Sequence, residues 1–145
     1  MWDLKDKTVV ITGATNGIGK AAALELAKQG PKLLLTFRNQ ELADNLLAEI
    51  KTAAPDVSVE LIYCDFSMQS SIRECSKEIV ASQDKIDVLI NNAGVVNTSY
   101  HETSEGIENT FAVNHLGYFL FTNLLLNKMK GPEESRIINV SSAAH

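Results

Sequence analysis

Residues 8–19, T-V-V-I-T-G-A-T-N-G-I-G, constrain the fold of this chain more than any other stretch. A short apolar run, Val9, Val10 and Ile11, leads straight into a loop carrying Gly13, Gly17 and Gly19, and a helical pattern begins at once in Ile18, Ala22 and Leu26. Strand, glycine turn and helix in immediate succession form a cradle for the phosphates of a nucleotide. A tight turn needs backbone angles that side chains resist, and a pyrophosphate needs N–H groups with nothing in front of them. The first N–H groups of the helix are unpaired and sit at the positive end of its dipole, so they suit an anion. The spacing is G-x-x-x-G-x-G rather than G-x-G-x-x-G, and glycines in a loop can also serve only to turn the chain. The strand before and the amphipathic helix after favour the cradle, with Thr15, Asn16 and Ile18 beside the three glycines as candidate cofactor contacts.

The 145 residues, 45% of them hydrophobic, are enough for one domain, so a single dinucleotide-binding domain over residues 1–145 is expected. A net charge of −5 without a basic cluster argues against nucleic acid or an anionic membrane as partner. Small molecules, or further copies of the chain in a homo-oligomer, are the expected partners. The opening M-W-D-L-K-D-K has no apolar core of a signal peptide, and residues 116–126 are broken by Asn123 and too short to span a bilayer. No membrane anchor and a cytoplasmic location are therefore expected. Cys64 falls in a strand-like run and Cys75 on the apolar stripe of a helix, so both read as reduced core residues, with no disulfide and no metal site.

Beyond the first helix, residues 32–37 form a second strand, short and apolar as befits burial on both faces. A second helix follows with the stripe Leu42, Leu46, Leu47 and Ile50, stopped by Pro55. Residues 57–63 read as a third strand ending at Cys64-Asp65, and Ser67 as the cap of a third helix whose buried side is Ile72, Cys75 and Ile79. Residues 86–90 form a fourth strand running into Asn91-Asn92-Ala93-Gly94 and a polar loop. Thr103 is the expected cap of a long helix through Ile107 and Phe111 to about Lys130, with Gly131-Pro132 as its stop; residues 136–140 form a fifth strand. Strands alternating with helices predict a Rossmann-like, doubly wound parallel α/β sheet with right-handed crossovers, truncated after the fifth strand.

Together, the residues 12–19 loop, Asp65, Asn91-Asn92-Ala93-Gly94, Asn114 and Ile138-Asn139-Val140-Ser141-Ser142 resemble the short-chain dehydrogenase/reductase family, in its order and over the whole chain. Residues 37–39, 103–108 and 113–119 are similar to its retinol dehydrogenase-like branch, whose members act on retinoids, steroids or other lipophilic carbonyls. The resemblance implies an NADP(H)-dependent oxidoreductase that moves a hydride between the nicotinamide and a carbonyl or alcohol carbon of a small substrate.

The resemblance implies site roles that agree with the chemistry of the residues. Asp65, at the carboxyl end of the third strand with Phe66 beside it, can accept from an adenine amino group; its alternative is a plain turn into a helix. Asn92, Ala93 and Gly94 follow the fourth strand, where the crevice of a doubly wound sheet lies, while Asn91 can either touch ligand or brace the sheet. Asn114 is implied to hold a water of a proton relay, with a satisfied core amide as the alternative, because an amide among apolar residues needs a partner. Ser142 takes the place of the family's catalytic serine and would hydrogen-bond the substrate oxygen, with Ser141 as the neighbour open to confusion with it; His115 matches the branch but fits a helix surface equally. An NAD site carries an acidic residue about twenty positions past the glycines, on the ribose hydroxyls. Here Phe37 and Arg38 stand there, and an arginine fork suits a 2′-phosphate, so NADP(H) is expected with Arg38 as its reader. A solvated surface arginine is the alternative.

The family's chemistry also uses a Tyr-x-x-x-Lys pair beyond the serine. The residues four positions after Tyr63, Tyr100 and Tyr118 are Ser67, Ser104 and Thr122, so none of these tyrosines supplies it. The sequence therefore reads as the N-terminal part of a longer enzyme. A truncated, non-catalytic nucleotide-binding or interaction module is the alternative.

Overall fold

The apolar segments expected to be strands do pair side by side, and each pairing is parallel. The computed structural model describes residues 3–131 and 134–142. The strands are β1 (Thr8–Ile11), β2 (Lys32–Phe37), β3 (Val59–Tyr63), β4 (Val88–Asn91) and β5 (Arg136–Asn139), in the spatial order β3-β2-β1-β4-β5. Val9 lies between Leu33 and Val88 in register, which places β1 at the centre, buried and apolar from Val9 to Ile11. Between the strands run α1 (Gly17–Ala27), α2 (Gln40–Ala53) and α3 (Gln69–Ser82). Before β5 comes a helical rod in three pieces: a short α4 (Asn109–Phe111), a π-turn (Ala112–Leu116) and α5 (Gly117–Met129).

Strand side chains alternate between two cores, as the pleat requires. Val10, Leu34, Ile62 and Leu89 meet α3 and α5 through Ile72, Cys75, Ile79, Phe121 and Leu125. Val9, Ile11, Leu33, Leu35 and Val88 meet α1 and α2 through Ala23, Ala27, Leu46 and Ile50. The second contact is close because α1 presents Gly19, Ala23 and Ala27 inward. Among the described residues β5 pairs only with β4, and it is exposed along its whole length, with Ile137 at 41% and Ile138 at 46%. Among the described residues no helix is long and apolar enough to cross a membrane.

At the amino end of the sheet, buried Asp87 accepts from the Thr8 N–H through Oδ2 at 2.9 Å. Its Oδ1 lies 2.8 Å from Lys85 Nζ and 3.7 Å from Lys7 Nζ. Burial pushes this carboxyl up, but the Lys85 and Thr8 hydrogen bonds and the two lysine charges together outweigh it and hold it below the usual carboxylate range.

Several boundaries differ from the sequence reading, each for a local reason. β3 begins at Val59 rather than 57, because Val57 N–H closes a turn on Ala54 O and its own carbonyl accepts from Lys51 Nζ. β4 begins two residues late, because Ile86 and Asp87 are engaged with Lys128 O and Thr8. Ser67 does not cap α3. Its N–H and hydroxyl both go to Asp65 Oδ1, and the helix starts at Gln69, whose N–H donates to the distant Glu105 carboxylate at 3.1 Å. Thr103 caps no helix either: Gly106 N–H closes on Thr103 O, and Glu108 caps the rod by accepting from Thr110 and Phe111 at 2.8 and 2.7 Å. Ile107 therefore precedes the helix. On α1 and α2, Ile18 at 67% and Leu42 at 37% face outward rather than into the core. Pro132, expected in the stop after α5, lies outside the described residues, as does His145.

Candidate functional site

The order of strands in sequence reverses on either side of the gap between β1 and β4, and in open α/β sheets a crevice forms at the carboxyl ends beside such a point. A cleft of about 570 Å³ opens there. The glycine loop after β1 forms one wall and the loop after β4 another; the ends of β2 and β3, with Leu42, Val113 and Val140, supply the rest.

The glycine loop is held by two threonines. Thr12 is fully buried, and its hydroxyl accepts from Asn92 N–H at 2.8 Å and Ala93 N–H at 2.9 Å. Asn92 returns the contact by donating from Nδ2 to Thr12 O and Gly13 O at 3.0 and 3.1 Å. Thr36, buried in β2, accepts the Gly13 N–H at 3.2 Å through its hydroxyl. The two loops press together so tightly that side chains have no room. A Cβ on Gly13, whose φ is +62°, would lie 2.7 Å from Ala93 Cα. One on Gly19 would run into Asn92 Nδ2 and lie 2.5 Å from Gly13 O. The result is a wall of bare backbone that ends at the N-terminus of α1, where the Asn16 side chain makes no capping bond. Backbone without side chains, at the positive end of a helix dipole, fits a phosphate.

At the far side, Arg38 and Asp65 are the charged side chains lining the cleft among the described residues. Arg38 follows β2, is 64% exposed on its side chain and stands 4.0 Å from Asp65 Oδ1. That separation and exposure make a weak ion pair, so the guanidinium fork stays open to a stronger anion. Asp65 is held by Ser67, and its own N–H donates to Ser71 Oγ at 2.8 Å. Cys64 lines the cleft beside it; a hydrogen bond with Cys75 and burial push its thiol up, which disfavours the thiolate. Both cysteines are free and buried.

Of the residues singled out in the sequence, Gly13, Thr15, Asn16, Gly17, Ile18, Arg38, Asp65, Phe66, Asn92, Ala93 and Gly94 line this cleft. Gly19 lies behind the wall, buried. Asn91 is fully buried, donating to Thr122 Oγ1 at 2.9 Å and Asn139 Oδ1 at 2.8 Å, so it ties β4 to α5 and β5. Asn114 is exposed rather than enclosed by apolar residues. It sits in the π-turn, and its amide pairs with both backbone atoms of Val95 at 2.9 Å each. Val140 lines the cleft and bonds Asn91 O, while Ser141 and Ser142 follow it, exposed and outside the lining. His115 stacks on Phe111 at 5.1 Å between ring centres.

Sequence reasoning missed Thr36, Asn39 and Leu42 as lining residues. Asn39 was detectable: it is an N-cap, accepting from Leu42 N–H at 3.0 Å, and asparagine before a helix favours that role. Leu42 looks like core in the sequence but is an apolar residue of the cleft rim, near Ile18, which the sequence already offers as a cofactor contact.

A doubly wound parallel sheet with a bare glycine wall at its switch point is a Rossmann-like architecture. Residues 7–145 match the family model described as short chain dehydrogenase, and the chain belongs to that family. It is 45% identical over 139 residues to retinol dehydrogenase 13 from Homo sapiens, covering 96% of this chain and 42% of that protein. It is also 45% identical over 142 residues to human retinol dehydrogenase 11, covering 98% of this chain and 45% of that protein. A metagenomic short-chain oxidoreductase crystallised with NADP superposes with a TM-score of 0.83 at 30% identity, over 99% of this chain and 65% of that one. The chain thus spans less than half the length of the two retinol dehydrogenases.

Proposed function

We propose that the whole protein is an NADP(H)-dependent oxidoreductase acting on a carbonyl or alcohol carbon of a small, lipophilic substrate of retinoid, steroid or aldehyde type. The observation that carries the coenzyme choice is the end of β2. Phe37 and Arg38 stand where an NAD site needs a carboxylate, and the Arg38 guanidinium lines the cleft in only a weak ion pair. The NADP complex of the metagenomic relative supports the same choice, and the retinol dehydrogenases support the substrate class.

The residues present fit the coenzyme: the bare backbone of Gly13 and Gly17 and the α1 N-terminus would take the pyrophosphate, Asp65 and Phe66 the adenine, and Arg38 the 2′-phosphate. Bound NADP(H) would supply or accept the hydride. Ser142 is proposed to orient the substrate oxygen. Asn114 is proposed to support the proton relay from the π-turn, while its amide fixes Val95 in the cleft wall.

Fluorescence titration with NADPH and NADH tests the coenzyme choice. Arg38→Ala is expected to lower the preference for NADPH about tenfold, the size of one charge-assisted phosphate contact. An unchanged ratio refutes Arg38 as the reader. Turnover of lipophilic aldehydes with NADPH by the full-length protein tests the substrate class, and its absence across a broad panel refutes the oxidoreductase reading.

A further inference from the structure

The dinucleotide reading of the cleft underlies a further assignment, at a residue outside the cleft itself. The helical rod widens at Ala112–Leu116, and Gly117 N–H closes this π-turn on Ala112 O. Such turns bond less favourably than an α-helix and are held where the surroundings require them. Here the turn carries Asn114 onto Val95.

Gly117 is buried at the exit of the turn. A Cβ there would lie 2.8 Å from Cδ1 of Phe66 and 3.2 Å from Ala112 O. Phe66 is itself buried and lines the cleft, and its ring meets Phe121 edge-on at 5.4 Å between centres. The ring therefore fills the space that any side chain at 117 would need. An added methyl group can be accommodated in two ways. Either the Phe66 ring shifts and alters the cleft wall, or the helix retreats and draws Asn114 away from Val95. Both Phe66 and Val95 line the cleft, so each route changes the space offered to a ligand.

We propose that Gly117 is a positioning residue for dinucleotide binding: its lack of a side chain sets the Phe66 wall directly and the Val95 wall through the π-turn. Gly117 touches no ligand; it acts through these two neighbours.

The test is a double-mutant cycle in the full-length protein, with the dissociation constant for NADPH measured by fluorescence and a thermal melt recorded for each variant. Gly117→Ala is expected to weaken NADPH binding about tenfold, equivalent to ~1.4 kcal/mol. The same change in a Phe66→Val background, where Cδ1 is gone, is expected to cost less than about twofold. A merely structural role for Gly117 would lower the melting temperature without this non-additivity in affinity. Equal losses in both backgrounds, or no loss in Gly117→Ala alone, overturn the proposal. If Gly117→Ala does not fold, the double variant decides: affinity equal to that of Phe66→Val supports the proposal, and a further tenfold loss or a failure to fold overturns it. A wild-type protein that binds neither NADPH nor NADH would refute the dinucleotide reading and this proposal with it. Wild-type binding with an indifferent Gly117→Ala variant refutes this proposal alone.

Discussion

At the amino end of the sheet one buried carboxylate, Asp87, gathers the Thr8 N–H, Lys85 and Lys7 around itself. At the carboxyl end the glycine loop, the α1 N-terminus and Arg38 present donors to an open cleft, and the nearest carboxylate to Arg38 stands 4.0 Å away. Charge is thus closed upon itself at one end and left available at the other. The two ends share strands β1 and β4, so the same backbone runs from a self-satisfied anchor to a receptive wall. Stabilising groups and binding groups are thereby kept a full strand length apart, and a change at one end should leave the property of the other nearly untouched.

The sharpest attempt to break this division is Gly13→Val. With φ at +62° and a Cβ 2.7 Å from Ala93 Cα, the variant is expected to bind NADPH at least ~100-fold more weakly, about 2.7 kcal/mol. Titration showing near-native affinity would remove the binding half of the comparison. Asp87→Ala is the counterpart. It removes the buried acceptor of the Thr8 N–H and the carboxylate beside Lys85 and Lys7, and is expected to cost about 2 kcal/mol in urea unfolding. The folded variant should keep its affinity for NADPH, and a large loss would show that the ends are coupled.

A smaller effect is expected from Thr36→Val, which removes the acceptor of the Gly13 N–H and should cost ~1 kcal/mol of stability together with a few-fold loss of affinity. Equal affinity in this variant would mean that the loop keeps its shape without β2. The smallest effect is one of pH. The Asp87 carboxyl is held low in the folded protein, so the unfolded chain takes up the proton more readily. Its contribution is complete above the unfolded value of about 3.9 and disappears as pH falls through the lower folded value. Stability measured from pH 5 downward should therefore fall less steeply in Asp87→Asn than in the wild type, and identical slopes would deny Asp87 its role as anchor.

The architecture was legible in the sequence because it rests on strong local signals: apolar runs for β1, β2 and β4, the stripe Ile72, Cys75 and Ile79 for α3, and the glycine loop itself. What escaped was decided by contacts between distant segments or by departures from regular pitch. Glu105 reaches Gln69 across 36 positions, and nothing near Ser67 announces that another residue will take its place as a cap. The rod from residue 109 to 129 looks like one helix because its apolar residues nearly keep the period of 3.6, and a single π-turn adds no sequence signal of its own. Thr103 resembles a cap, but the Thr103–Gly106 turn consumes it. Leu42 fits an apolar stripe, and hydrophobicity alone does not separate a core face from a cleft rim.

The Thr12 hydroxyl accepts from backbone groups 80 and 81 positions further along the chain. On a ribosome, or in a refolding experiment, β1, α1 and β2 can therefore assemble from neighbouring sequence while the glycine loop still lacks its second wall. Closing so long a loop is slow compared with forming local contacts, so insertion of β4 beside β1 falls late in assembly. The glycine loop is thus made well before the segment that fixes its final shape, and the onset of nucleotide affinity would mark the moment at which the two halves of the sheet meet.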